Sequence, residues 1–311
     1  MNEQSGQVRE LLLLLVVVFL FAGNILVGKA AANALPPFTL ALSRAVIALS
    51  AASLFFGRAA WRNAAALSAR KTQLFIIGAS GIGLFNALLY AALHTADTTT
   101  VAVLEASIPI VTAIVMWVGF GEQLGRLGWA GVMLSAAGAV IVVSNGAPLQ
   151  IVANASPGVL IMLAAIAAWV VYAVTARRGL MGLPPLAAMV PLSLSAVIAL
   201  VPFAIAEQII TGFTDTITPR AIVSALYLGL GPSLVAFILY NRALLTIGPT
   251  PAALSLNGLP VVVMLLGFLF LGEPITIAHI VGTGAVIAGV TVVVKTRRGG
   301  ARRRAPGLEN D

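Results

Sequence analysis

Two charged residues stand inside long apolar stretches of this chain: Arg44 in LALSRAVIAL and Glu105 in VAVLEASIPI. An ion withdrawn from water is costly unless it is paired, so each marks a working site or a structural pair. Counted at ~1.5 Å per helical residue, Arg44 and Glu105 both fall about 12 Å below one membrane face, and Asn24 about 9 Å below it. Opposite charges in one layer can hold a substrate, carry a proton, or weld two helices together as an ion pair. A second set, Trp169, Tyr172 and Asn257, falls about 8–12 Å from the opposite face. An aromatic lining suits flat or apolar side chains, and Asn24 or Asn257 can hold an amino or carboxylate group. Tyr90 and Tyr240 stand near opposite mouths, as symmetric gates or as interfacial anchors. His94, near the end of an apolar run, either titrates at that mouth or sits in a solvated loop.

These depths presuppose membrane-spanning helices, and composition supports them. The 311 residues are 60% hydrophobic and only 9% charged, with a mean hydropathy of +1.04. A soluble domain needs more charge to cover its core, so this chain uses lipid as solvent. The absence of cysteine excludes disulfides and thiolate chemistry. Ten apolar runs approach the ~20 residues a bilayer requires. They are 9–30, 36–57, 72–94, 97–120, 126–145, 157–176, 185–206, 219–241, 248–271 and 275–295. The first run, with Arg9 ahead of Leu11 to Ala22, also has the form of a cleaved signal peptide. It is nonetheless long enough to span, and the repeat described below needs it.

The net charge of +8 does not point to nucleic acid, because the basic residues lie between and after apolar runs, where head groups would be. With the N-terminus inside, the inner loops hold Arg58, Arg62, Arg70, Lys71, Arg126, Arg177, Arg178 and Arg242, and the basic tail is also inside. The outer side keeps only Lys29 and Arg220. This asymmetry predicts both termini in the cytoplasm. Residues 298–311 read as a basic, disordered tail.

The chain also repeats itself. Shifted by 151 positions, Pro109 meets Pro260, Gly121-Glu122 meets Gly272-Glu273, Gly131 meets Gly282 and Gly138 meets Gly289. Near the start of each half the shift is 148, and Pro36-Pro37 meets Pro184-Pro185. The expected organisation is two five-helix halves, 9–145 and 156–297. Five is odd, so the second half is inverted, as in secondary transporters, whose substrate sits in a wettable cleft between halves. Arg44 and Glu105 have Leu192 and Leu256 as repeat partners, so both charges vanish together in the second half. Pro109 and Pro260 are matched kinks, either hinges or static bends. The spaced glycines let helices approach closely.

The duplicated pattern of apolar span, Gly-Glu and glycine-spaced span resembles the EamA type of the drug/metabolite transporter superfamily. So do FAGNILVGKAAANALPPFTLALSRAVIAL and AAWVVYAVTARR. Within that family the chain is most similar to bacterial amino-acid exporters. The resemblance covers about residues 9–297. It implies an all-α membrane protein of ten transmembrane helices and export of small metabolites across the bacterial inner membrane.

One rival carries motifs. Gly78-Ala79-Ser80-Gly81 and Ala278-His279-Ile280-Val281-Gly282 resemble the rhomboid intramembrane protease dyad. A nucleophile and its base must come within about 3 Å, whereas depth counting separates Ser80 from His279 by roughly 12 Å. A channel is the third reading, but it usually needs an oligomeric pore. No nucleotide or zinc-protease signature occurs, and no cofactor or metal is expected. The expected partners are a small-molecule substrate, such as an amino acid, and the lipid bilayer. The chain is expected to work as a monomer and not as an enzyme.

Overall fold

The computed structural model describes residues 2–32, 34–121, 125–147, 156–212, 218–240 and 256–303, and among them every regular element is a helix. An apolar run in lipid must satisfy its own backbone, and a helix does so within one segment. We number the helices α1 (Asn2–Ala31), α2 (Pro37–Arg62), α3 (Lys71–Ala92), α4 (Thr98–Gly119), α5 (Arg126–Val143), α6 (Pro157–Gly179), α7 (Pro185–Thr211), α8 (Pro219–Tyr240), α9 (Leu259–Leu271) and α10 (Ile277–Arg303). Among the described residues eight helices, α1 to α8, are long and apolar enough to cross a membrane; Leu259–Leu271 and Ile277–Val293 are shorter apolar helices. The ninth expected run begins at 248, and residues 241–255 lie outside the described residues, as does Glu122. Helical backbone continues to Arg303, so residues 298–303 are helical where a disordered tail was expected; 304–311 lie outside the described residues.

Local chemistry sets the helix starts. Helices α2, α6, α7 and α8 open on proline, whose missing N–H costs nothing at a first turn. Asp97 caps α4, accepting from Thr100 N at 2.7 Å and Thr100 Oγ1 at 2.7 Å. Two further carboxylates cap helices of the other half. Glu207, near the end of α7, accepts from Phe38 N at 3.1 Å and Thr39 N at 2.8 Å. Glu273, just after α9, accepts from Thr98 N at 3.0 Å and Thr98 Oγ1 at 2.5 Å. The carboxyl of the second Gly-Glu pair is therefore a helix cap.

Helices related by the repeat pack on each other: α5 on α10, α2 on α7, and α4 on α9. Glycines set the closest approach. A Cβ on Gly131 would lie 2.7 Å from Gly289 O, and one on Gly138 would lie 2.6 Å from Gly282 O. As the numbers climb in α5 they fall in α10, so the pair is antiparallel. The start of α2 meets the end of α7, and the start of α4 the end of α9, in the same sense. A second matched contact joins α3 to α7 and α8 to α2. A Cβ on Gly78 would meet Leu192 O at 2.2 Å and Ser195 Cβ at 2.7 Å. One on Gly229 would meet Arg44 O at 3.1 Å and Ile47 Cβ at 2.7 Å. Gly78 and Gly229 are repeat partners, as are Leu192 and Arg44.

Within α3 and α8 the backbone widens into π-helix, over Gly78–Leu84 and Gly231–Val235. Helix α4 is interrupted at Ser107, and the chain entering α9 at Asn257 and Gly258. Pro109 and Pro260 lie just beyond these breaks, in the first turn of the next segment, where proline fits. The two breaks coincide under the 151-residue shift. The largest buried cluster gathers residues from α1, α3, α4 and α6, including Ile25, Leu89, Val101 and Met162.

Gly138→Ala places a methyl against the α10 backbone, where no side chain can yield. It lowers the melting temperature in detergent by several degrees, whereas Gly284→Ala, with open space around its Cβ, leaves it unchanged; thermal unfolding of the two purified variants checks this.

Candidate functional site

Four polar side chains of the membrane helices converge on Arg44. Its Nη1 donates to Asn24 Oδ1 at 2.9 Å, to Tyr90 OH at 2.7 Å and to Asn86 Oδ1. Its Nε donates to Ser233 Oγ at 2.7 Å. Tyr90 OH in turn donates to Asn24 Oδ1 at 2.9 Å. The cluster thus joins α1, α2, α3 and α8, and Arg44, Asn24, Asn86 and Tyr90 are all buried.

Each partner is itself placed by local backbone. A π-segment leaves carbonyls without their usual i+4 donors, and in an apolar setting those carbonyls must find others. Asn86, two residues past the first π-segment, donates its Nδ2 to Ile82 O at 2.9 Å. That fixes the amide so that Oδ1 faces Arg44. Ser233, inside the second π-segment, donates to Leu228 O at 2.8 Å, which leaves its oxygen free to accept from Arg44. Tyr90 has room because α1 carries Gly28 opposite its ring; a Cβ there would lie 2.8 Å from Tyr90 Cδ1.

Glu105 stands two residues before the break in α4. Its Oε2 is buried without a hydrogen-bond partner. Arg44 and Glu105 interact electrostatically, but among the described residues they form no ion pair within 4.0 Å. The direct pair that sequence depth allowed is absent, because neutral acceptors hold the guanidinium.

A ladder of aromatic rings begins at Phe85 of α3. Phe85, next to Asn86, meets Trp169 at 4.7 Å between centroids, and Trp169 meets Tyr172 at 4.7 Å. Tyr172 lies over the first π-segment, where a Cβ on Gly81 would come within 2.4 Å of its ring. Tyr240 lies within electrostatic reach of Tyr172. Asn257, at the break before α9, donates to Thr291 Oγ1 at 3.2 Å and so faces α10.

The structure therefore brings Asn24, Arg44 and Tyr90 together and sets Trp169 beside Tyr172. Asn257 bonds to α10 and does not join the Arg44 cluster. Tyr90 is wholly buried, so it is neither at an open mouth nor an interfacial anchor; its hydroxyl is needed inward, on Arg44. His94 is exposed in the turn after α3. Sequence reasoning missed Asn86, Ser233 and Phe85. Their signal was the local glycine density, Gly78, Gly81 and Gly83 in one case and Gly229 and Gly231 in the other.

The protease motifs serve separate elements. Ser80 Oγ donates within its own helix to Ile76 O at 2.6 Å. His279 Nε2 lies 3.9 Å from Asp97 Oδ1, at the start of α4. Neither residue touches the other.

Comparison with known proteins agrees with this architecture. The model of the EamA-like transporter family matches residues 8–144 and again 156–295. An uncharacterized transporter of Archaeoglobus fulgidus is 25% identical over 283 residues, 90% of this chain and 95% of its own. A probable terminal-alkyne amino-acid exporter of Streptantibioticus cattleyicolor is 26% identical over 276 residues, 86% of each chain. A solved crystal structure shares the fold, with a TM-score of 0.59 at 20% identity over 93% of this chain and 98% of the other.

Arg44→Ala removes the donor common to three helices and destabilises the fold by ~2–4 kcal/mol, since hydrogen bonds to a charged group contribute about 1.5–3 kcal/mol each. Glu105→Gln, at a side chain without a bond to lose, does not lower the unfolding midpoint. Thermal unfolding of both variants in one detergent checks the contrast.

Proposed function

Because the chain belongs to the EamA-like transporter family, we propose that it exports amino acids, aromatic ones included, or similar small metabolites across the bacterial inner membrane. It works by alternating access between two inverted halves, 9–145 and 156–297, with both termini in the cytoplasm. The family match falls in two copies over these regions. Antiparallel packing of repeat-related helices is what an inverted repeat requires, since a parallel repeat would run α5 and α10 the same way. The amino-acid class draws on the S. cattleyicolor relative, a probable exporter of a terminal-alkyne amino acid.

One observation carries the reading. Charged and polar side chains are gathered where the membrane helices are irregular: Arg44 against two π-segments, and Glu105 and Asn257 at two helix breaks. Irregular backbone and buried charge at membrane depth mark a transport pathway, because elsewhere in lipid they would only cost stability. Asn24, Arg44, Glu105, Trp169, Tyr172 and Asn257 line that pathway. Tyr240 gates its inner end, and Pro109 and Pro260 hold the bends about which α4 and α9 move.

Proteoliposomes containing only this protein release preloaded labelled amino acids, aromatic ones fastest, well above empty vesicles. Absence of any flux across a full amino-acid panel, with and without an imposed proton gradient, overturns the reading. Orientation is tested separately, because the chain has no cysteine of its own. A cysteine at the exposed Thr95 reacts with an impermeant maleimide on intact cells. One at the exposed Ser68 reacts only after permeabilisation.

A further inference from the structure

Arg44 and Glu105 are opposite charges that the protein leaves unmatched. The described partners of Arg44 are Asn24, Asn86, Tyr90 and Ser233, all neutral. Glu105 has a buried oxygen with no partner at all. The two residues interact electrostatically, yet no ion pair closes between them within 4.0 Å. A buried guanidinium and a buried carboxyl that do not bond to each other each keep capacity for a polar group of a ligand.

We infer that Arg44 and Glu105 are the two ends of a receptor for the zwitterionic backbone of an amino acid, Arg44 binding the carboxylate and Glu105 the ammonium. The inference rests on the export reading above and assigns roles within that site. A zwitterion carries both charges two bonds apart, so a single ligand neutralises both ends at once. The guanidinium is oriented in advance: Nε and Nη1 are engaged, and Nη2 has no described protein acceptor. Its remaining edge therefore faces a ligand without paying for reorganisation. Glu105 lies beside a helix break, where a small backbone change can bring its carboxylate toward an ammonium.

The side chain of the substrate has a place as well. Phe85 precedes Asn86 in the chain, and its ring meets Trp169, which meets Tyr172. With its backbone between Arg44 and Glu105, an amino acid lays its side chain along these rings, which favours aromatic substrates. The repeat partners Leu192 and Leu256 carry no charge, so the chain holds one such receptor, not two.

The test uses the purified full chain and three labelled compounds that share one side chain: phenylalanine, 3-phenylpropionate without the ammonium, and phenethylamine without the carboxylate. Wild type binds phenylalanine ~10-fold or more tightly than either analogue, the worth of one charge-assisted bond. Glu105→Gln binds phenylalanine no better than 3-phenylpropionate, while its affinity for 3-phenylpropionate and its melting temperature do not fall below the wild-type values. If Glu105→Gln keeps the preference for phenylalanine, or weakens both ligands equally, Glu105 does not hold the ammonium and the proposal fails. If phenethylamine binds wild type as tightly as phenylalanine, the role given to Arg44 fails, with no variant required. Should wild type bind and transport no amino acid, the export reading itself is what falls.

Discussion

The buried guanidinium of Arg44 is the constraint on which the first half of this molecule is organised. Taking such an ion out of water costs several kcal/mol even after the protein relaxes. Charge-assisted hydrogen bonds return about 1.5–3 kcal/mol each, so the ion is tolerable only with several acceptors at once. Those acceptors come from α1, α3 and α8, which must therefore stand at fixed depth and rotation around α2. The π-segments of α3 and α8 supply the means. Each frees a carbonyl that needs a donor, Asn86 and Ser233 provide one apiece, and each then turns an oxygen to Arg44. Irregular backbone and buried charge satisfy each other here.

Around this cluster the scaffold is symmetric and the chemistry is not. Gly78 against Leu192 O is matched by Gly229 against Arg44 O, and Gly131 against Gly289 by Gly138 against Gly282. The matched glycines lie where neighbouring helices approach closely, and a side chain at any of them would collide with its neighbour. Charge has no such obligation. The counterpart of Arg44 is Leu192, that of Glu105 is Leu256, that of Asn86 is Phe237, and that of Asn24 is Tyr172. The polar cluster draws on the first matched region and adds Ser233 from the second, while the aromatic ladder draws on Trp169 and Tyr172 of the second and adds Phe85 from the first.

How far the sequence disclosed this follows from what each signal encodes. Membrane helices declare themselves through composition, because every lipid-facing position must be apolar. The breaks at Ser107 and Gly258 were legible because proline has few places to sit in a helix, and the repeat put two prolines at matching depth. Depth counting placed Arg44 and Asn24 in one layer, where they bond at 2.9 Å. It carries no azimuth, however. It gave Glu105 the same depth without revealing that Arg44 turns toward Asn86 and Ser233. It placed Tyr90 near a mouth without revealing that Gly28 admits its ring to the interior. The π-segments were hidden for a related reason: a one-residue widening changes no hydropathy, and clustered glycine was its only trace.

The carboxylate caps add a directional element to this frame. Lys29 at the end of α1 donates to Leu93 O at 2.6 Å and Ala96 O at 2.8 Å near the start of α4, so the start of α2 and the start of α4 share one face. Glu207 closes on α2 and Glu273 on α4 at that face, each reaching across from the second half. Parting the helices there would strip backbone N–H groups of a side-chain acceptor at two helix ends, at about 0.5–2 kcal/mol per cap. At the opposite face the repeat position of Glu207 is Ala59, which has no acceptor to offer α7. Among the described residues the Glu207 cap therefore has no counterpart at its repeat position, whereas Glu207 and Glu273 tie α7 to α2 and the end of α9 to α4 at one face.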